Sequence, residues 1–310
     1  MTDTTWLPYE VTPGDSGVEA SAAGLLDLLG RIDLTKVLTA EKALVLRGFG
    51  ITPDTHGGVV DALLPRRLAY VHGNSPRTKV GDNVYTSTEY PAEFVISMHN
   101  ELSYASSWPA RLLFYCEQVP HTGGATPVVD GARWLRSLDA EVREAFSAGV
   151  RYVQNLHDGF GFGKSWQDTF ETDDRSTVDA HLAGTGAKWT WTRDGTLRIT
   201  HLGPATVRHR FTGAEVWFNQ ADQFHFAGLG EQGAEVREVL PEDELPQAVT
   251  FADGRPVPPE YITHIQETGL KLAVDVEWAA GDLLLIDNVL VARGRRPFTG
   301  PRRVLVAMSD

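Results

Sequence analysis

His99-Asn100-Glu101 follows an apolar, strand-like run at residues 94–98 and precedes Leu102-Ser103-Tyr104. Alternate residues of an extended segment project to one face, so an imidazole and a carboxylate two apart can reach the same metal ion. One His and one carboxylate are two of the three ligands of the facial triad that holds non-haem Fe(II) while leaving positions open for oxygen and substrate. A His-x-Glu triplet also arises by chance. The plain alternative is a surface His and Glu flanking an exposed turn.

The segments downstream bear on that choice. Trp108-Pro109-Ala110-Arg111-Leu112-Leu113-Phe114-Tyr115-Cys116 is followed by Gly123-Gly124-Ala125-Thr126-Pro127-Val128-Val129-Asp130. Towards the C-terminus, Gly281-Asp282-Leu283-Leu284-Leu285-Ile286-Asp287-Asn288 leads into Gly294-Arg295-Arg296-Pro297-Phe298 and Pro301-Arg302-Arg303-Val304. In order and spacing, across residues 44–307, these segments resemble the taurine dioxygenase-like (TauD/TfdA) family of Fe(II)/2-oxoglutarate oxygenases. The resemblance is strongest to the clavaminate-synthase-like and syringomycin-type branch. It implies a double-stranded β-helix, Fe(II), 2-oxoglutarate as co-substrate, and an amino acid or related small polar metabolite of antibiotic or other secondary metabolism as substrate. It also implies His99 and Glu101 as metal ligands. Thr126 and Arg303 then correspond to the pair that holds the far carboxylate of 2-oxoglutarate, since a dicarboxylate needs a permanently charged fork and a hydroxyl donor.

One position departs from the pattern. The family places its second His ligand five residues after the Asn of the Asp-Asn pair and just before a Gly; here that position is Arg293, before Gly294. A guanidinium stays protonated and has no lone pair to donate, so it cannot replace the imidazole. Two readings stay open. In the first the chain is an oxygenase whose iron, held by His99 and Glu101, is weakened by a neighbouring cation. In the second it keeps the fold without the redox chemistry, as a binding or partner subunit or a non-oxidative enzyme. Asp222 and His225, in Trp217-Phe218-Asn219-Gln220-Ala221-Asp222-Gln223-Phe224-His225, are candidates to complete a metal shell or to line the substrate site. Asp222 can alternatively neutralise Arg293; solvated or core roles for both are equally open. Tyr85, Ser87 and Ser103 are candidate substrate contacts, with loop hydrogen bonding the alternative.

The elements that position these residues read as mainly β with α: a jelly-roll double-stranded β-helix with a helical outer layer and insertions. Strands are expected at residues 42–47, 94–98, 111–116, 126–129, 150–154, 188–192, 197–201, 216–219, 274–278, 283–287 and 303–308. Helices are expected at 20–38, 53–64, 132–148, 177–182, 231–240 and 259–272. Residues 70–90, rich in Gly, Asn, Ser, Thr and Pro, read as a lid loop, and about 160–187 as a helical insertion. No linker or repeat divides the 310 residues, which read as one domain. A net charge of −13 argues against nucleic-acid and anionic-membrane partners. Cys116 is the sole cysteine, which excludes an intrachain disulfide and suits a reducing cytoplasm. The start of the chain reads as lacking a signal peptide, no apolar run is long enough to span a bilayer, and a homo-oligomer is compatible with the sequence.

Overall fold

The computed structural model describes residues 6–69, 77–88 and 90–310. Its centre is a double-stranded β-helix made of two facing sheets. The larger orders its strands Tyr9–Val11, Ala43–Leu46, Leu283–Asp287, Arg111–Gln118, Arg303–Ser309, Val84–Thr86 and Lys79–Gly81. The smaller orders Val274–Val276, Thr126–Asp130, Val291–Arg295 and Ile96–His99, with every pairing antiparallel. A separate four-stranded sheet, Lys188–Trp191, Leu197–Gly203, Val150–Leu156 and Gln247–Phe251, carries the helices Trp166–Phe170 and Arg175–Ala183 in a satellite core.

Period-two alternation explains the layering. Along Arg303–Ser309, Val304, Val306 and Met308 enter the core between the sheets, whereas Leu305 and Ala307 face the helical layer. Arg111–Gln118 alternates likewise, with Leu112, Phe114 and Cys116 inward and Leu113 and Tyr115 outward. Because helices cover the outer face, both parities are apolar, as expected for strands buried on both sides. Cys116 is buried in the inner core, where burial pushes its thiol up to about 11.

Several elements differ from their sequence-based limits. The helix expected at 20–38 is two, Ala22–Arg31 and Leu34–Glu41, because the Asp33 carboxylate accepts from the Lys36 amide and starts the second. The one expected at 132–148 is also two, Gly131–Ser137 and Ala140–Phe146. The lid expected at 70–90 is partly sheet: Lys79–Gly81 pairs with Val84–Thr86, which pairs with Arg303–Ser309. Residues 70–76 and 89 lie outside the described residues. The strand Val291–Arg295 has no counterpart among the expected elements, because Val291-Ala292-Arg293-Gly294-Arg295 reads as polar although all five residues are buried. Among the described residues no helix is long and apolar enough to cross a membrane.

Candidate active site

His99 ends Ile96–His99, and Arg293 is its direct cross-strand partner in Val291–Arg295. Directly opposed residues emerge on the same face, so the imidazole and the guanidinium must meet. Gly294 permits the close approach of the two strands: a Cβ there would lie 2.4 Å from the Ile96 carbonyl oxygen. Glu101 follows in a turn whose backbone is clamped by Asn288. The Glu101 amide donates to Asn288 Oδ1 at 2.8 Å, and Asn288 Nδ2 donates to the carbonyls of Glu101 at 3.1 Å and Pro109 at 2.8 Å. Asn100 Nδ2 reaches back to the carbonyls of Asn288 and Val291 at 2.6 and 3.2 Å. Both asparagines are fully buried, and their bonds set the angle at which Glu101 enters the barrel.

Arg293 occupies the space that His99 and Glu101 share. Its Nη1 lies against His99 Nε2 and its Nη2 donates to Glu101 Oε2. Arg77 donates to the same carboxylate oxygen at 2.7 Å. His99 Nδ1 is 2.8 Å from the Ser97 carbonyl oxygen, which can only accept, so the ring proton sits on Nδ1 and Nε2 offers its lone pair to Arg293. The Gln223 amide nitrogen lies 3.0 Å from the same Nδ1. Burial and then Arg293 push the His99 pKa down to about 3, which keeps the ring neutral at ordinary pH. Burial alone would raise the Glu101 carboxyl, but Arg77 and Arg293 outweigh it and hold the group at about 2.

This donor set does not fit a facial-triad iron. A triad needs three lone-pair donors. Here the donor atoms of His99 and Glu101 are both engaged by Arg293, which has no lone pair to give. Among the described residues no group of three His, Cys, Asp or Glu side chains could hold a metal ion. Asp222 and His225 do not complete the shell, and Asp222 does not neutralise Arg293. Asp222 is buried with Ser97 and Gln266 as hydrogen-bond partners, and burial pushes its carboxyl up to about 6. His225 Nδ1 accepts from the Ala227 amide at 3.2 Å and so caps a helical turn.

Beside the trio runs a narrow slot lined by Arg77, Ser87, Thr126, Arg293, Arg295 and Arg302 among others. The slot corrects one sequence assignment: Arg302 is among the arginines that line it, and Arg303 is not. Arg303 has the parity of Leu305 and Ala307, is about half-exposed, and pairs with Glu117 at 2.9 Å on the outside of the sheet. Arg302 has the inward parity of Val304 and Val306 and donates to the Gly124 carbonyl at 3.1 Å and Ser87 Oγ at 3.3 Å. The Gly-Gly pair makes room for it, since a Cβ on Gly124 would lie 3.2 Å from the Arg302 side chain. Thr126 Oγ1 accepts from Trp278 Nε1 at 3.1 Å.

A larger cavity of about 440 Å³ opens on the other side of His99 and Glu101. Phe94, Val95, Tyr104, Phe224 and Leu270 give it apolar walls, and Gln220, Gln223, Gln247 and Gln266 bring amides to it. Slot and cavity share Thr88 and Ile96. Ser87 lines the slot, but two other candidate contacts are elsewhere. Tyr85 is packed in the inner core, and Ser103 is fully buried with Gln220 Oε1 3.3 Å from its hydroxyl. Arg77, Arg302, Gln223 and the Asn100–Asn288 clamp were not among the sequence candidates. For Arg302 the apolar run at 304–308 gives no contrast between its two faces, and Arg77 lies in a polar stretch; neither carried a signal.

A barrel of two facing sheets, with a His-x-Glu pair at its mouth and an arginine at the start of its last strand, defines the class. The model of the taurine catabolism dioxygenase TauD, TfdA family matches residues 10–308, and the chain belongs to that family. It is 34% identical to the dapdiamide synthesis protein DdaC of Enterobacter agglomerans, covering 97% of this chain and 94% of the relative. A clavaminate synthase-like protein of Arabidopsis thaliana is 33% identical, covering 89% of this chain and 83% of the relative. Among solved structures, PvcB of Pseudomonas aeruginosa superposes with a TM-score of 0.53 at 14% identity, over 98% of this chain and 86% of PvcB. PvcB is described as an Fe, alpha-ketoglutarate dependent oxygenase from an isonitrile synthetic pathway. The likeness to PvcB bears on the fold.

Proposed function

We propose that this chain acts on an amino acid or a related small polar metabolite of secondary metabolism, as a 2-oxoglutarate oxygenase-family enzyme with an altered metal centre. The observation that carries this reading is the meeting of two compartments at one trio of side chains. The arginine-lined slot, with Arg302, Ser87 and Thr126, suits the carboxylate of 2-oxoglutarate; the cavity of about 440 Å³ suits a small metabolite with polar ends. His99, Glu101 and Arg293 stand between them. The relationship to a dapdiamide synthesis protein supports a place in the biosynthesis of amino-acid-derived products.

Family members supply the oxidation with Fe(II) and 2-oxoglutarate. In this chain such chemistry requires that Arg293 first release both His99 and Glu101. That contact favours a second reading, in which the resting centre is organised by guanidinium groups and the protein binds its metabolites without oxidising them. Incubation with Fe(II), 2-oxoglutarate, oxygen and a panel of amino acids and their amides, with succinate measured, tests the proposal. Substrate-dependent succinate supports the oxygenase reading. Binding of a panel member without succinate supports the second reading, and neither binding nor succinate refutes the proposal.

A further inference from the structure

The larger cavity is walled by carbon and amides. Phe94, Val95, Phe224, Leu229 and Leu270 line it, and among the described residues no lysine, arginine or aspartate does. Residues 70–76 and 89, outside the description, contain no lysine or arginine either. The carboxylate on the wall, Glu101, already receives Arg77 and Arg293 at Oε2. A buried charge is costly without a partner, so this wall favours an uncharged occupant.

The hydrogen-bonding groups narrow the class. Gln266, on the helix Pro259–Leu272, donates through Nε2 to the Gly228 carbonyl at 3.0 Å and to Asp222 Oδ2 at 3.2 Å. A backbone carbonyl can only accept, so this amide cannot be turned round. Both of its N–H groups are engaged, and Oε1 is left on the cavity wall with no donor among the described residues. Gln247, first in the strand Gln247–Phe251, brings to the same wall a half-buried amide that has no side-chain partner among the described residues.

We infer that this cavity takes an uncharged carboxamide end of the substrate, with Gln266 Oε1 accepting from the ligand NH2 and the Gln247 amide meeting the rest of the group. The inference deepens the proposal above and rests on its assignment of this cavity to the metabolite. A carboxamide presents two N–H donors and an acceptor, the complement of these two side chains, while the carbon skeleton meets the apolar walls. A carboxylate has nearly the same shape but only acceptors; it sets a lone pair against Gln266 Oε1 and finds no cation on the wall. Gln266 is therefore the residue that separates an amide from its parent acid.

Calorimetric titration of the full chain, with 2-oxoglutarate present, tests this by comparing N-acetyl-amino-acid amides with the matching N-acetyl-amino acids, carrying alanine, leucine and phenylalanine side chains. The tightest amide should bind about tenfold or more tightly than its acid. Gln266→Met should lower the amide's affinity about fivefold without weakening the acid. Gln247→Arg, which brings a cation to the wall, should raise the acid's affinity and narrow the preference. An acid bound as tightly as its amide overturns the inference and leaves the oxygenase-family proposal standing. Binding of neither series overturns the inference; free amino acids bound in their place keep the proposal, and their failure as well removes the cavity's assignment. If a variant does not fold, the comparison on the parent chain decides alone.

Discussion

The inner face of the seven-stranded sheet is apolar along its middle strands, with Val45, Leu112, Phe114, Leu284, Ile286 and Val306 in one buried cluster. The four-stranded sheet begins the same way at Val128 and Val291, then turns polar at one end, where Thr126, His99 and Arg293 face inward and Glu101 follows. The two share strand geometry and burial; what differs is the free energy of the groups they bury. Each apolar side chain in the first contributes roughly 1.5–3 kcal/mol by leaving water. In the second each charge costs free energy that its partners must offset. One sheet therefore holds the barrel together, and the other gives up stability to hold charged groups at the candidate site.

Breaking the polar end should have the largest effect. Glu101→Ala leaves Arg77 and Arg293 buried without that carboxylate, and should cost about 3–5 kcal/mol in denaturant unfolding. Ile286→Ala, in the apolar sheet and fully buried, should cost about 2–5 kcal/mol through lost burial and a cavity. The contrast sharpens in a double variant, Glu101→Gln with Arg293→Met, which should recover the part of the loss due to Arg293, since only Arg77 then lies buried without that carboxylate. If the double variant is as unstable as Glu101→Ala, the polar end is held by packing rather than by charge compensation.

Binding should follow the same division. Arg302→Ala should weaken 2-oxoglutarate binding by roughly 1.5–3 kcal/mol, the increment of a charge-assisted hydrogen bond. Arg303→Ala, which removes a half-exposed surface pair, should stay within about 1 kcal/mol of the parent. Calorimetry on the two variants checks the inward parity of Arg302, and equal losses would contradict it.

The smallest effect concerns Asp222, whose buried carboxyl is pushed up to about 6. A raised carboxyl contributes stability that is fully present below its unfolded value of 3.8 and is lost as pH rises through 6. Asp222→Asn cannot ionise, so its stability relative to the parent should climb by roughly 1–3 kcal/mol between pH 4 and pH 7. Unfolding curves across that range check the slope. A flat difference would mean that the Asp222 carboxyl keeps its ordinary value in the fold.

Much of the polar end was legible in the sequence because its chemistry is carried by residue type. His-x-Glu before a turn, Gly-Gly before Thr126, and the Asp287-Asn288 pair are among the segments that carry the family resemblance, and the expected role of Thr126 came from it. The departure at Arg293 was equally legible, since the position that the family resemblance gives to a second His ligand held a residue unable to ligate. The strand that carries it was not, because a run with two arginines and a glycine reads as loop until partners for those arginines are known. Parity was the other failure. With Val304 to Met308 apolar on both faces, alternation carries no hydrophobic contrast, and nothing local distinguishes Arg302 inside from Arg303 outside. A bulge between Arg303 and Val304, where the register with Arg111–Gln118 shifts, further breaks a count from neighbouring strands.

Anaerobic titration of Fe(II) into the protein with 2-oxoglutarate present, read by the visible charge-transfer band of an iron chelate, measures most directly whether Arg293 holds the metal position. The parent should develop no band at near-stoichiometric iron. Arg293→His, which supplies a lone-pair donor opposite His99 and removes a cation, should develop one and gain substrate-coupled succinate formation. A parent that binds iron tightly and turns over, with Arg293→His changing neither, would contradict the placement of Arg293 between His99 and Glu101.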